Sequence, residues 1–121
     1  MCGINAIVPF KKIDLDYEGQ KMLESVFHRG PDNLNFINFD SILLGHVRLS
    51  IIDIDKRSDQ PFQYKDRYTL VFNGEIYNFT EIRNYLLQQG YTFLTNSDTE
   101  VLITAYSHWK NDCWHKLRGM W

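Results

Sequence analysis

The sequence predicts an α+β protein with a largely antiparallel sheet. Two observations carry that prediction. Strand candidates come early and at hairpin spacing, as short apolar runs closed by Gly, Pro, Asn or Asp. Two better-marked helix candidates follow in the second half, so strands and helices do not alternate as parallel crossovers require.

The elements follow in order. Residues 2–8 form a short apolar run ended by Pro9, which predicts a buried strand. Residues 15–27 carry Leu15, Met22, Leu23, Val26 and Phe27 at loose helical spacing, and His28-Arg29-Gly30-Pro31-Asp32 breaks that helix. Residues 35–39 and 42–47 predict two strands joined by the turn pair Asp40-Ser41, with residues 48–54 extending the pattern. Residues 55–60 are polar and charged, which predicts a surface loop. Residues 68–72 predict another strand, followed directly by Asn73-Gly74.

Asn78 with Glu81 three residues later makes a capping-box start. Ile82, Tyr85, Leu86 and Gln89 share one face, and Gly90 supplies the stop. After a short strand at residues 91–94 the device recurs, with Ser97 as cap and Glu100 at the third helical position. Val101, Leu102, Ala105 and Trp109 form the stripe of that helix.

The 121 residues suit one domain. They are 44% hydrophobic and 23% charged, a composition able to build a core. A formal net charge of -2 gives no electrostatic reason for a nucleic acid or anionic membrane partner. No apolar run approaches the roughly 20 residues of a membrane span, and the N-terminus lacks signal-peptide features. The expected location is the cytoplasm. Cys2 and Cys113 cannot make a disulfide scaffold, and the four histidines lack ligand spacing, so no metal site is expected.

Four positions carry candidate chemistry. Removal of Met1 would give Cys2 a free α-amine beside its thiol. The two have ordinary pKa values of about 7.7–8.0 and about 8.5, so the amine can take the thiol proton. The other reading of Cys2, and the one favoured on that residue alone, is a small buried hydrophobe in a strand. Asn73-Gly74 has two readings: a type I′ hairpin turn, or an oxyanion hole made by the Asn amide and the Gly N–H. Arg48 is either a solvated strand end or a bidentate clamp for a carboxylate. Asp98 either complements a helix dipole or faces a substrate ammonium.

In combination these residues resemble the glutaminase domain of class II glutamine amidotransferases, a branch of the N-terminal-nucleophile hydrolases. Within that group the chain is similar to the glutamine-hydrolysing asparagine synthetase type. The resemblance rests on Met1-Cys2-Gly3-Ile4, residues 28–32, Gly45-His46-Val47-Arg48-Leu49-Ser50-Ile51, Asn73-Gly74-Glu75-Ile76-Tyr77-Asn78, residues 97–100 and residues 117–121. It implies αββα layers of largely antiparallel sheet. It also implies that Cys2 attacks the glutamine amide, that Asn73 and Gly74 hold the oxyanion, and that Arg48 grips the α-carboxylate. Asp98 and Glu75 would bind the α-ammonium, and carbonyls near Leu49 and Ile51 would fix the amide. Residues 28–32 form a loop beside the site with no chemical role derivable from sequence.

The family commonly has Gly where this chain has Ala6. In the family, residues 119–121 open a further strand, so the expectation is an incomplete glutaminase domain over 1–121 with the synthetase domain absent. No cofactor is expected here; ATP and magnesium would belong to that absent domain, whose glycine-rich phosphate loop has no match. The expected partners are glutamine, the synthetase domain and a second copy of the chain. A non-catalytic binding module or inactive fragment is the alternative, favoured wherever Met1 is retained.

Overall fold

The computed structural model describes residues 2–121, which divide into two compact units. The first holds the residues up to Ser50 together with Asp59–Pro61 and Val71–Asn73. The second holds Ile51–Ser58, Phe62–Leu70 and Gly74–Trp121.

In the first unit, β1 (Gly3–Ile7), β2 (Asn33–Asn38) and β3 (Leu43–Arg48) form an antiparallel sheet in the order β1-β3-β2. Gly3 faces Val47 across one ladder and Asn33 faces Arg48 across the other. One helix, α1 (Leu15–Val26), covers a face of this sheet. The Asp14 side chain caps it by accepting from Tyr17 N–H at 3.1 Å. The sheet has glycines where the helix has bulk. A Cβ on Gly45 would lie 3.1 Å from Leu23, and one on Gly3 would meet Val26 at 3.3 Å. Leu23, Leu43 and Val47 are fully buried there. Side chains alternate along a strand, so His46 and Arg48 point to the other face of β3.

In the second unit, β4 (Phe62–Tyr64) and β5 (Tyr68–Leu70) pair antiparallel, as do β6 (Glu75–Ile76) and β7 (Gly119–Met120). Two helices, α2 (Phe79–Gln88) and α3 (Asp98–Trp109), pack together, and Ile103 of α3 packs on Phe62 and Tyr64. Every residue of α3 from Asp98 to Ala105 is buried, so its apolar content is not confined to one stripe. Gly90, at φ 86°, ends α2 in a Schellman arrangement: Tyr91 N–H donates to Leu86 O at 3.1 Å and Gly90 N–H to Leu87 O at 3.0 Å. Among the described residues no helix is long and apolar enough to cross a membrane.

The α+β class and the β2–β3 hairpin agree with expectation. Several local expectations do not. β3 stops at Arg48, because Leu49 and Ser50 direct their N–H groups to the Cys2 sulfur and the Asp32 carboxylate instead of to a strand. Residues 91–94 are not a strand, since Leu94 N–H is taken by Glu100. Glu100 therefore does not close a capping box, although Ser97 Oγ does accept from Glu100 N–H at 3.2 Å. Asn78 precedes α2 without capping it, because its amide instead donates to Lys116 O and accepts from Arg118 N–H. The 55–60 loop contains a 3₁₀ turn at Lys56–Ser58, and Ser58 and Gln60 are buried rather than on the surface.

Candidate active site

Cys2 precedes β1, and its sulfur lies against the main chain just beyond β3. Leu49 N–H donates to Sγ at 3.3 Å, and the thiol reaches Leu49 O at 3.7 Å. The sulfur thus has a backbone donor from which a thiolate could accept. Met1 lies outside the described residues, and with it the question of whether it is removed.

The 28–32 turn explains how this end of the sheet is held. Arg29 Nε donates to the Cys2 carbonyl at 3.0 Å. Asp32 N–H donates to Arg48 O at 3.0 Å, and the Asp32 carboxylate accepts from Ser50 N–H at 2.7 Å. Gly30 passes so close to β3 that a Cβ would meet the Val47 carbonyl oxygen at 2.6 Å. One turn therefore touches the carbonyl of the candidate nucleophile and the peptides on both sides of Leu49, whose N–H meets the Cys2 sulfur. Sequence reasoning placed this turn beside the site but gave it no task.

Arg48 is 5% exposed, and its Nη1 donates to Asp59 Oδ1 at 2.5 Å. Asp59 thereby orients a guanidinium that has five N–H donors in all. His46, two residues earlier on the same face, has no exposure. Neither of its ring nitrogens has a partner in good hydrogen-bond geometry among the described residues. Burial lowers its pKa to about 4, helped by the Arg48 charge, while the Phe72 backbone and Asp59 pull it upward. The ring is neutral at pH 7.

Asn73 follows Phe72, whose N–H donates to the buried Gln60 Oε1 at 2.6 Å. The hairpin reading of Asn73-Gly74 is overturned: β5 pairs with β4 and β6 with β7, so this dipeptide joins no strand pair. The positive-φ pair belongs instead to Lys65 and Asp66, at 52° and 49°, in the β4–β5 turn closed by Arg67 N–H to Tyr64 O.

In the second unit, Asp98 opens α3, and its Oδ2 accepts from Ile76 N–H at 3.0 Å. Burial raises its pKa, the Ile76 and Thr99 N–H groups oppose that, and the charge of nearby Glu75 adds to it. Two carboxylates that repel one another are suited to a cation. Glu100 accepts from Leu94 N–H, Thr95 N–H and Thr95 Oγ1, which fixes the loop entering α3. Ile51 is 73% exposed. Cys2, Arg48, Leu49 and Asn73 thus belong to the first unit, and Ile51, Gly74, Glu75 and Asp98 to the second.

Comparison with known proteins gives the lineage. The family described as "Glutamine amidotransferase domain" matches residues 1–121. The chain belongs to the glutamine amidotransferase domain family. It is 46% identical over 102 residues to the glutamine-hydrolyzing asparagine synthetase 1 of Bacillus subtilis, covering 84% of this chain and 16% of that protein. It is 38% identical over 141 residues to a putative asparagine synthetase of Methanocaldococcus jannaschii, covering 100% of this chain and 27% of that protein. Amidase chyE of Penicillium rubens is 40% identical over 132 residues, with 98% and 20% covered. The amidotransferase domain described here spans a small fraction of each relative's length.

The residues that sequence reasoning missed are Arg29, Asp59, Gln60 and Glu100. The first left a faint signal in its Gly-Pro turn. Asp59 and Gln60 lie in an irregular segment, where no periodicity marks burial, and Glu100, inside α3, read only as a capping residue.

Proposed function

We propose that this domain hydrolyses glutamine to glutamate and ammonia on an N-terminal-nucleophile hydrolase scaffold. The observation that carries the reading is Cys2 Sγ seated on the Leu49 peptide, one residue beyond Arg48. It is supported by the family membership and by the names of the asparagine synthetase relatives.

With Met1 removed, the Cys2 amine takes the thiol proton and the thiolate attacks the side-chain carbonyl carbon of glutamine. Negative charge then develops on the carbonyl oxygen, where the Asn73 amide and the Gly74 N–H donate. As the intermediate collapses, the C–N bond breaks and the amine proton passes to departing ammonia. A glutamyl thioester remains on Cys2. Water adds to it, giving its proton back to the amine, and glutamate and the thiol are released. Arg48 holds the α-carboxylate, and Glu75 with Asp98 holds the α-ammonium. The carbonyls of Leu49 and Ile51 orient the substrate amide.

The ammonia passes to an ATP-dependent synthetase domain, a reading supported by the asparagine synthetase names of the relatives. Aspartate is the acceptor this reading favours. The test is glutamate release from glutamine by the Met1-free chain beside its Cys2→Ala variant. Turnover in the first and none in the second is expected. Equal rates in both would overturn the proposal.

A further inference from the structure

We infer that Asp59 and Gln60 are paired positioning residues, one setting the grip on the substrate and the other setting the oxyanion donor. The inference rests on the glutaminase reading above and deepens it.

The chain leaves the first unit after Ser50 and returns for only three residues, Asp59–Pro61, before leaving again. Both polar side chains of that short return are spent on candidate machinery. Asp59 accepts from Arg48 Nη1 at 2.5 Å, with the two side chains only 20% and 7% exposed. Gln60, 5% exposed, accepts from the Phe72 N–H at 2.6 Å. Phe72 is joined directly to Asn73.

Each contact supplies something its target lacks. Arg48 carries a long, rotamer-rich side chain, and a carboxylate holding one nitrogen fixes the plane of the fork before substrate arrives. Val71–Asn73 belongs to no strand, so no ladder fixes its backbone. The Gln60 carbonyl takes the place of a ladder partner for Phe72. His46 lies against the same set, with the Phe72 backbone, Arg48 and Asp59 all acting on its ring. The ring is fully buried and makes no hydrogen bond to Asp59.

The two arms predict different kinetic signatures. The α-carboxylate is remote from the reacting carbon and is held alike in ground and transition states, so a mis-set Arg48 raises KM. The oxyanion exists only along the reaction, so a mis-set Asn73 lowers kcat.

The test compares Asp59→Asn and Gln60→Met in the natural full-length chain freed of Met1, with folding checked by circular dichroism. Asp59→Asn should raise KM for glutamine about tenfold and leave kcat within about twofold. Gln60→Met should lower kcat about 10²-fold and leave KM within about threefold. If Gln60→Met does not fold, Gln60→Asn takes its place: it keeps the amide but draws the carbonyl out of reach, and the same kcat loss is expected. Unchanged kinetics in folded variants would overturn the inference. So would parallel losses in kcat and KM at both positions, the mark of a merely structural role. An unsubstituted chain that releases no glutamate would instead defeat the underlying glutaminase reading.

Discussion

Arg29 Nε donates to the carbonyl oxygen of Cys2 at 3.0 Å, joining the Gly-Pro turn to the peptide of the candidate nucleophile. The peptide following Cys2 is therefore held by Arg29 while the Leu49 N–H holds its sulfur. Replacing Arg29 by Met removes the donor and keeps much of the apolar stem. Glutamine turnover should fall about tenfold, since a small misplacement of a nucleophile is costly. Steady-state glutamate release checks this.

Gly30→Ala tests the same turn sterically. The added Cβ would lie 2.6 Å from the Val47 carbonyl oxygen and from the Val47 and Arg48 carbonyl carbons, which cannot rotate away as a side chain would. Stability should drop by about 1–3 kcal/mol, the usual cost of overpacking. Urea unfolding at pH 7 measures it.

His46 predicts a specific loss of stability in acid. Its folded pKa of about 4 lies below the ordinary value of 6.5, so the unfolded chain binds the proton first. Its contribution is intact above pH 6.5 and is lost as pH falls toward 4. At pH 5 the loss should be about 2 kcal/mol. Comparing urea midpoints of the parent chain and His46→Leu at pH 7 and pH 5 isolates this term. The parent should lose more than the variant between the two.

Asp98 predicts an acid limb for substrate binding. Burial and the Glu75 charge raise its pKa, so protonation begins above the ordinary carboxylate range. Only the ionised form attracts an ammonium group. KM for glutamine should therefore rise on acidification before exposed carboxylates titrate, and the limb should vanish in Asp98→Asn, whose KM is high throughout.

Much of this was legible in the sequence because it depends on local pattern. The β2–β3 hairpin follows from two apolar runs around Asp40-Ser41, and the observed bounds differ from the expected ones by only a residue or two. The end of α2 follows from Gly90 and the start of α3 from Ser97. Cys2, Arg48, Asn73 and Asp98 were nameable because six motif blocks stand in one order. Where hydrogen-bond partners lie far along the chain, the pattern misled. Residues 91–94 alternate like a strand, yet Leu94 N–H goes to a glutamate six residues on. Asn73-Gly74 has hairpin composition, yet the segment before it is tied to Gln60. Gln60 itself lies in a polar stretch that reads as surface, and only the fold shows it buried.

The most direct measurement is the intact mass of acid-quenched protein mixed with excess glutamine, with and without Met1. A free amine beside the thiol supplies the base, and an amide nitrogen does not; general-base assistance is worth about 10²–10⁴-fold. The Met1-free chain should carry a glutamyl adduct that maps to the peptide containing Cys2, and the chain retaining Met1 should carry almost none. Glutamate release with no adduct, or an adduct forming equally in both chains, would contradict nucleophilic catalysis by an N-terminal Cys2.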